Sequence, residues 1–154
     1  MPIQVRSARD ADLGAIRELV RQLGYEPSAT SLATSFGRLM TEPDHRILVA
    51  ADGDAVLGVI TLHWAPLLQY EAPAARIMTL VVDETARGRG VGKILVDHAA
   101  AIAAEMGCEI LELTSGLQRK EAHAFYHAIG FETASLRLAR TLEASGAGSS
   151  TGPV

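Results

Sequence analysis

Six consecutive residues in the second half of the chain have the composition of an anion-binding loop. They read Arg-Gly-Arg-Gly-Val-Gly at positions 87–92, after the apolar run 77–82 and before the amphipathic run 91–106. A strand that turns through glycines into a helix exposes backbone N–H groups, and the helix N-terminus adds partial positive charge. Arg87 and Arg89 supply formal charge. The segment therefore predicts a site for a phosphate-containing ligand.

Three phosphate-binding patterns are close to this loop. A nucleotide P-loop requires G-x-x-x-x-G-K-[ST]; Gly92 and Lys93 match its end, but Arg87 replaces its first glycine and Ile94 its hydroxyl residue. A dinucleotide fingerprint requires G-x-G-x-x-G, and here the third glycine comes one residue early. The pattern [QR]-x-x-G-x-[GA] is met by Arg87, Gly90 and Gly92. A tight left-handed turn without a ligand is the alternative for this motif alone.

A second segment, residues 111–131, carries the pattern A-x-x-F-Y followed by G-F. The matching residues are Ala122, Phe125, Tyr126, Gly130 and Phe131. Together the two motifs resemble the GNAT-type N-acetyltransferases, in which the first loop binds the pyrophosphate of acetyl-CoA and the second segment forms the far wall of the cofactor site. The resemblance covers about residues 2–139.

The resemblance implies an α+β fold in three layers, with a mixed, mostly antiparallel sheet of about six strands and four helices, in the order β-α-α-β-β-β-α-β-α-β. The chain's own patterns place strands at 2–7, 46–51, 55–64, 75–83, 109–114 and 131–140, and helices at 11–23, 28–40, 91–106 and 118–129. Asp10 is expected to cap the first helix, and Gly24 to end it. We expect one domain over residues 1–141 and a disordered, Ser/Gly-rich tail over 142–154.

Acetyl-CoA is the cofactor that the resemblance implies, as acyl donor. Its pyrophosphate is expected on the loop residues Arg87, Gly88, Arg89, Gly90, Val91, Gly92 and Lys93. Its extended pantetheine arm is expected to pair with the strand edge at Leu80, Val81 and Val82. Arg119 stands where many family members have an asparagine. It is expected to reach the cofactor, with a solvated position at the helix start as the alternative.

For catalysis the resemblance implies direct attack of a neutral amine on the thioester. Tyr126 matches the family tyrosine that protonates the departing thiolate; aromatic packing is its alternative role. The fourth strand lacks the glutamate that many members use as general base. Substitutes in principle are His63, Glu71 and Glu112, and the base stays unassigned. The absent glutamate also leaves open a non-catalytic acyl-CoA sensor or accessory subunit.

The acceptor groove is expected to be flanked by residues 24–45 and 65–74. The side chains that could line it are Tyr25, Trp64, Tyr70 and Glu71, and covering the core is the alternative for the aromatic ones. The resemblance implies a primary amine of a small molecule or peptide as acceptor, and the sequence does not name it.

Composition narrows the class of protein further. The chain has 154 residues, 48% of them hydrophobic, a net charge of −4 and a single cysteine, Cys108. A negative chain argues against nucleic-acid binding, and the sequence has no apolar run long enough for a membrane span. We therefore expect a cytoplasmic enzyme, and a homodimer. His123 and His127 have metal-ligand spacing, but Ala124 replaces the glutamate of H-E-x-x-H, so no metal is expected.

Overall fold

The computed structural model describes residues 2–115 and 119–143. The chain packs as two compact units, residues 1–113 and 114–154. The first unit contains strands β1 (Gln4–Ser7), β2 (His45–Asp52), β3 (Ala55–Ala65), β4 (Ala74–Val82) and β5 (Leu111–Leu113), and helices α1 (Leu13–Leu23), α2 (Ala29–Thr41) and α3 (Val91–Glu105). The second contains helix α4 (Lys120–Ala128). The predicted α+β class is confirmed, and the single domain over 1–141 stays a prediction.

The five strands form one mixed sheet in the order β1-β2-β3-β4-β5. Strands β1 to β4 pair antiparallel, and β5 pairs parallel to β4. Helices α1 and α2 pack on one sheet face, where Ile16, Leu19 and Phe36 meet Ile47 and Val49 in the core. Full burial of side chains of this kind stabilises a fold by about 1.5–3 kcal/mol each. The helix predicted at 11–23 is confirmed as α1.

The helix ends follow local chemistry, with one correction. Gly24 ends α1 at a φ of 110°, and the Ser28 hydroxyl accepts a hydrogen bond from the N–H of Ser31 at the start of α2. The expectation that Asp10 caps the first helix is wrong, because residues 10–12 form a 3₁₀ turn. The carboxylate that accepts a backbone N–H there belongs to Asp12, at 2.8 Å from the N of Arg9.

The C-terminal prediction needs a larger correction. The described residues 131–143 contain neither helix nor strand, so the strand predicted at 131–140 is wrong, and the sheet has five strands rather than six. Leu136 and Leu138 alternate with polar residues, but they are 86% and 89% exposed. Alternation predicts a strand only where a neighbouring strand supplies the hydrogen bonds.

Other differences are small. Strand β5 covers 111–113 instead of 109–114, and α4 begins at Lys120, while Gln118 and the tail from residue 144 lie outside the described residues. Among the described residues no helix is long and apolar enough to cross a membrane.

Candidate active site

The glycine-rich loop joins β4 to α3 in a backbone conformation that requires glycine. After a 3₁₀ turn at residues 84–86, Arg87 is extended, and Gly88 and Gly90 have φ values of 80° and 79°. Side-chain-bearing residues rarely adopt this left-handed region. A Cβ added at either glycine would meet no described atom within 4 Å. The loop therefore leaves open space beside its backbone, where a ligand can approach.

Helix α3 begins without a side-chain cap. Gly90 occupies its N-cap position, and within the described residues no side chain accepts a hydrogen bond there. The first turn of a helix has N–H groups with no intrahelical acceptor. Such N–H groups, together with the helix dipole, favour a negatively charged ligand. This is the physical reason for the prediction made from the loop motif.

A glycine outside the motif sets how closely α3 approaches the sheet. A Cβ on Gly58 of β3 would lie 3.0 Å from Cδ1 of Leu95, 3.1 Å from the carbonyl oxygen of Val81 and 3.2 Å from Cγ1 of Val91. These contacts are tight, so glycine lets the start of α3 lie directly against β3 and β4. Nothing in the local sequence marks Gly58, because its role is close packing against residues distant in the chain.

The loop cations have weak partners. Arg89 Nη2 lies 3.6 Å from Asp52 Oδ2, and Lys93 Nζ lies 2.7 Å from Asp97 Oδ2. Both cationic side chains are about half exposed or more, and exposed pairs of this kind contribute about 0–1 kcal/mol. Exchanging such a partner for a phosphate therefore costs little.

The side-chain amide of Gln22, at the end of α1, holds the junction between β4 and the loop. Its Nε2 donates to Asp83 Oδ2 at 3.2 Å, and its Oε1 accepts from the N–H of Glu84 at 3.0 Å. The pKa of Asp83 is lowered, first by hydrogen bonds from Thr85 and then by those from Gln22, with a smaller effect of the Arg87 charge. The approach to the loop is thus anchored from α1.

The pairing of β4 changes along its length. With β3 it pairs from Ala74 to Val82, but with β5 only from Ala75 to Ile77. Thr61 faces Thr79 and Leu62 faces Ile77 in the register, which leaves Met78 as an extra residue, a β-bulge. Beyond the bulge, residues 78–82 have no ladder partner on the β5 side within the described chain. Leu80, Val81 and Val82 therefore lie on an open strand edge.

A row of titratable side chains crosses the sheet beside this bulge. His45 faces His63 in the register, His63 faces Arg76, and Arg76 faces Glu112. Directly paired residues project from the same face. We call these four residues the polar row. It lies on the face covered by α1 and α2, because His45 is two residues before the core residue Ile47 on β2 and therefore projects from the same face.

Contacts within and beside the polar row are close. Arg76 Nη2 lies 3.1 Å from Glu112 Oε1, and the rings of His45 and His63 stack with centroids 4.2 Å apart. Asp44 approaches both rings, and its pKa is lowered, first by the hydrogen bond from His45. The sequence offered His63 and Glu112 as substitute bases without placing them together. It did not mark His45 and Arg76, because only strand register brings them to this row.

Tyr126 lies in the second unit, on α4. Its ring makes edge-to-face contacts with Phe125 and Phe131, at centroid distances of 5.3 and 5.8 Å. Burial raises the pKa of its hydroxyl, and the nearby charge of Arg119 lowers it by less. The hydroxyl therefore stays protonated at neutral pH and can donate a proton. Arg119 occupies the N-cap position of α4.

Comparison with known proteins identifies the family of this chain. The sequence model of the acetyltransferase (GNAT) family matches residues 13–131. The chain belongs to the acetyltransferase (GNAT) family. It is 27% identical over 144 residues to the aminoalkylphosphonate N-acetyltransferase of Salmonella typhimurium. The matched region covers 92% of this chain and 94% of that protein.

Two solved structures show how widely the fold is shared. A transcriptional regulator from Bacillus halodurans is 26% identical, with a TM-score of 0.84 over 92% of this chain and 100% of that one. The glucosamine-6-phosphate N-acetyltransferase from Arabidopsis thaliana is 21% identical, with a TM-score of 0.79 over 93% of this chain and 100% of that one. The GNAT family resemblance and its fold class are confirmed.

The residues expected to flank an acceptor in this GNAT protein do not all share one surface. Tyr25 is 41% exposed at the end of α1, and Tyr70 is 51% exposed in the loop after β3, next to exposed Glu71. Trp64 follows His63 on β3 and so projects from the opposite face, where Arg46 Cζ lies 5.0 Å from its ring centroid. The structure therefore groups His63, not Trp64, with the polar row.

Proposed function

We propose that this GNAT protein transfers the acetyl group of acetyl-CoA to a primary amine of a small molecule or peptide. The observation that carries the proposal is the course of β4. One end leads into the uncapped start of α3, and the strand then presents an open edge that ends at the bulge and the polar row. An extended donor with a phosphate end and a reactive end fits this arrangement.

The two ends of the strand support a proposed position for the cofactor. Its pyrophosphate binds the N–H groups of residues 88–92, with charge from Arg87, Arg89 and Lys93. The family resemblance adds Arg119 as a further candidate cation. The pantetheine amides pair with the backbone edge of Leu80, Val81 and Val82 as an added strand would. A strand advances about 3.3 Å per residue, so this arm leads away from the loop toward Met78. The thioester then lies beside the polar row.

The reaction is a direct acyl transfer. The neutral amine attacks the thioester carbonyl, the C–N bond forms, the C–S bond breaks, and the thiolate leaves. By the family resemblance, Tyr126 is the group that donates a proton to that thiolate. The amine loses its proton to a base of the polar row, His63 or Glu112, and exchange with solvent returns that proton to Tyr126 before the next cycle. Glu71 is not assigned this role, because it lies in the exposed loop.

The relative from Salmonella supports a small amine as acceptor, since it is named for an aminoalkylphosphonate. The polar row offers a charged, half-exposed surface for such a molecule, with Arg76 as its fixed cation.

Three exposed leucines in residues 136–142 support a homodimer. Light scattering at micromolar concentration would detect it, and a monomer mass would contradict it.

Calorimetry tests the donor assignment directly. We expect acetyl-CoA to bind with a micromolar-range Kd, and ATP and NAD to bind more weakly or not at all, because neither has an amide-rich arm for the β4 edge. Tighter binding of either control would refute the assignment. Thiol release measured over a panel of amines, aminoalkylphosphonates included, then tests transfer. Binding without turnover on any amine would favour the sensor instead.

A further inference from the structure

Asp44, His45 and His63 form a cluster of metal-ligand side chains where β2 begins and β3 ends. Each offers one ligand atom, and the three atoms lie within 4.8 Å of one another. We propose that this cluster binds a late first-row divalent cation such as Zn²⁺. The proposal rests on the cluster alone and does not depend on the proposed function. When the ion is bound, His63 is a metal ligand, and Glu112 is then the base of the polar row.

The scaffold under the cluster is regular sheet structure. His45 and His63 are direct register partners on neighbouring antiparallel strands, and their rings are nearly parallel, with an interplanar angle of 26°. The N–H of Trp64 donates to the carbonyl oxygen of Asp44 at 3.1 Å, which holds Asp44 at the end of the ladder. Sites supported by strands keep their geometry better than sites on loops.

The separations are close to those that a metal requires. Asp44 Oδ1 lies 2.9 Å from His45 Nδ1, and Oδ2 lies 3.6 Å from His63 Nε2. Zinc bonds of about 2.0–2.2 Å in tetrahedral geometry place ligand atoms roughly 3.3–3.5 Å apart. Small side-chain rotations close the difference. They have room, because the side chains of His45, His63 and Asp44 are 22%, 31% and 43% exposed, and the same exposure gives an ion access.

The donor set selects the class of ion. Imidazole nitrogens suit Zn²⁺, Ni²⁺ and Cu²⁺, whereas Mg²⁺ and Ca²⁺ prefer oxygen ligands throughout. The carboxylate of Asp44 offsets part of the ion's charge. Arg76, the cation that follows His63 in the polar row, already has Glu112 as its partner. Three protein ligands leave a coordination position for water or for an oxygen of a bound molecule.

This cluster is distinct from the histidine pair on α4, for which the sequence predicted no metal. His63 follows Asp44 and His45 by 19 and 18 positions, so no short spacing motif marks the site. Strand register alone brings the three residues together. A metal in this place would lie on the sheet face that carries the polar row.

Calorimetric titration of the full chain with ZnCl2 tests the proposal, with MgCl2 as the contrasting salt. We expect one Zn²⁺ per chain and no comparable binding of Mg²⁺. The background is Cys108→Ser, because a thiol also binds zinc. Loss of one ligand, in His63→Gln or Asp44→Asn, should weaken Zn²⁺ binding by about 10- to 100-fold or more, the scale of losing an outer-shell partner. His98→Gln, on α3, is the matched control and should bind as the parent does.

Co²⁺ gives a second readout, since nitrogen and oxygen ligands produce visible absorption bands that the ligand variants should lose. Circular dichroism checks folding, and if His63→Gln is unfolded, the exposed Asp44→Asn decides. Three results would overturn the proposal: less than one Zn²⁺ bound per chain, unchanged affinity in a folded ligand variant, or an equal loss in His98→Gln.

Discussion

The two ends of β4 lead to two candidate binding regions that are built in different ways. At its C-terminal end the loop 87–92 is built from contiguous residues, and its proposed role in binding phosphate depends on backbone N–H groups and glycine conformations. At the other end the polar row takes one residue from each of four strands. The first end suits the constant part of a donor, its phosphates. The second suits the variable part of the reaction, the acceptor.

Under the proposed function, the two ends of β4 separate affinity for the donor from the chemistry of transfer. Backbone groups in a fixed loop bind a phosphate whatever side chains surround them, so a short motif is sufficient there. Side chains on a sheet face can change one at a time without altering the ladder. Variants at the loop should therefore change the Kd for acetyl-CoA, and variants at the row should change turnover.

Tyr126→Phe is expected to have the largest effect, and it tests whether chemistry also depends on the second unit. The change keeps the ring contacts with Phe125 and Phe131 and removes only the hydroxyl. Turnover, measured as thiol release, should fall by about 10²- to 10⁴-fold, with the acetyl-CoA Kd unchanged.

The pH profile provides the control for this variant. Burial raises the pKa of Tyr126. The turnover rate of the wild type should therefore fall in alkaline solution only at pH values above the usual pKa of tyrosine, where the hydroxyl loses its proton. Tyr126→Phe should not show this alkaline decrease in turnover. Wild-type turnover in the variant would end the general-acid assignment.

Gly90→Asp should have the next largest effect, on affinity. It places a carboxylate beside the proposed pyrophosphate, and a like charge at about 4 Å costs roughly 1–4 kcal/mol, or about 5- to 10³-fold in Kd. Gly90→Asn is the matched control, because it has the same shape and the same backbone cost at a φ of 79° without the charge. Equal Kd values for the two variants, by calorimetry, would remove the phosphate from this position.

Glu112→Gln tests the other end of the comparison. Turnover should fall by about 10- to 100-fold, because the change removes a candidate base and the charge that faces Arg76. The Kd for acetyl-CoA should stay constant. Glu71→Gln, in the exposed loop, is the matched control and should stay within about twofold of wild type. A larger loss in Glu71→Gln than in Glu112→Gln would move the base to that loop.

Sequence reasoning succeeded where structure depends on neighbouring residues. The loop, the amphipathic α1 and the glycine that ends it follow from local spacing, and the structure has them at those positions. It failed where the outcome depends on distant partners. The pattern of 131–140 reads as a strand but has no ladder in the described chain. His45 and Arg76 were missed, and so was the bulge at Met78, because register is set by the whole sheet.

Asp12→Asn should have the smallest effect on function, and it is the stability control for the other variants. Asp12 is 5% exposed, and its carboxylate binds Arg6 at 2.7 and 2.9 Å, which ties β1 to the start of α1. Losing that charge should lower the free energy of unfolding by about 1–3 kcal/mol, measured by denaturation at pH 7. Kd and turnover of the folded variant should match wild type.

The pH dependence identifies the cause of the loss. The hydrogen bond from Arg6 is the first cause that lowers the pKa of Asp12, so the stabilisation is fully present above the unfolded-state pKa of about 3.9. It is lost as pH falls through the lower folded-state value. The difference in unfolding free energy between wild type and Asp12→Asn should therefore be constant from pH 7 to about pH 5 and shrink below about pH 4. A difference that does not shrink in acid would mean that the asparagine costs stability through packing rather than charge. In that case turnover losses in Glu112→Gln would also need a stability control before they are assigned to chemistry.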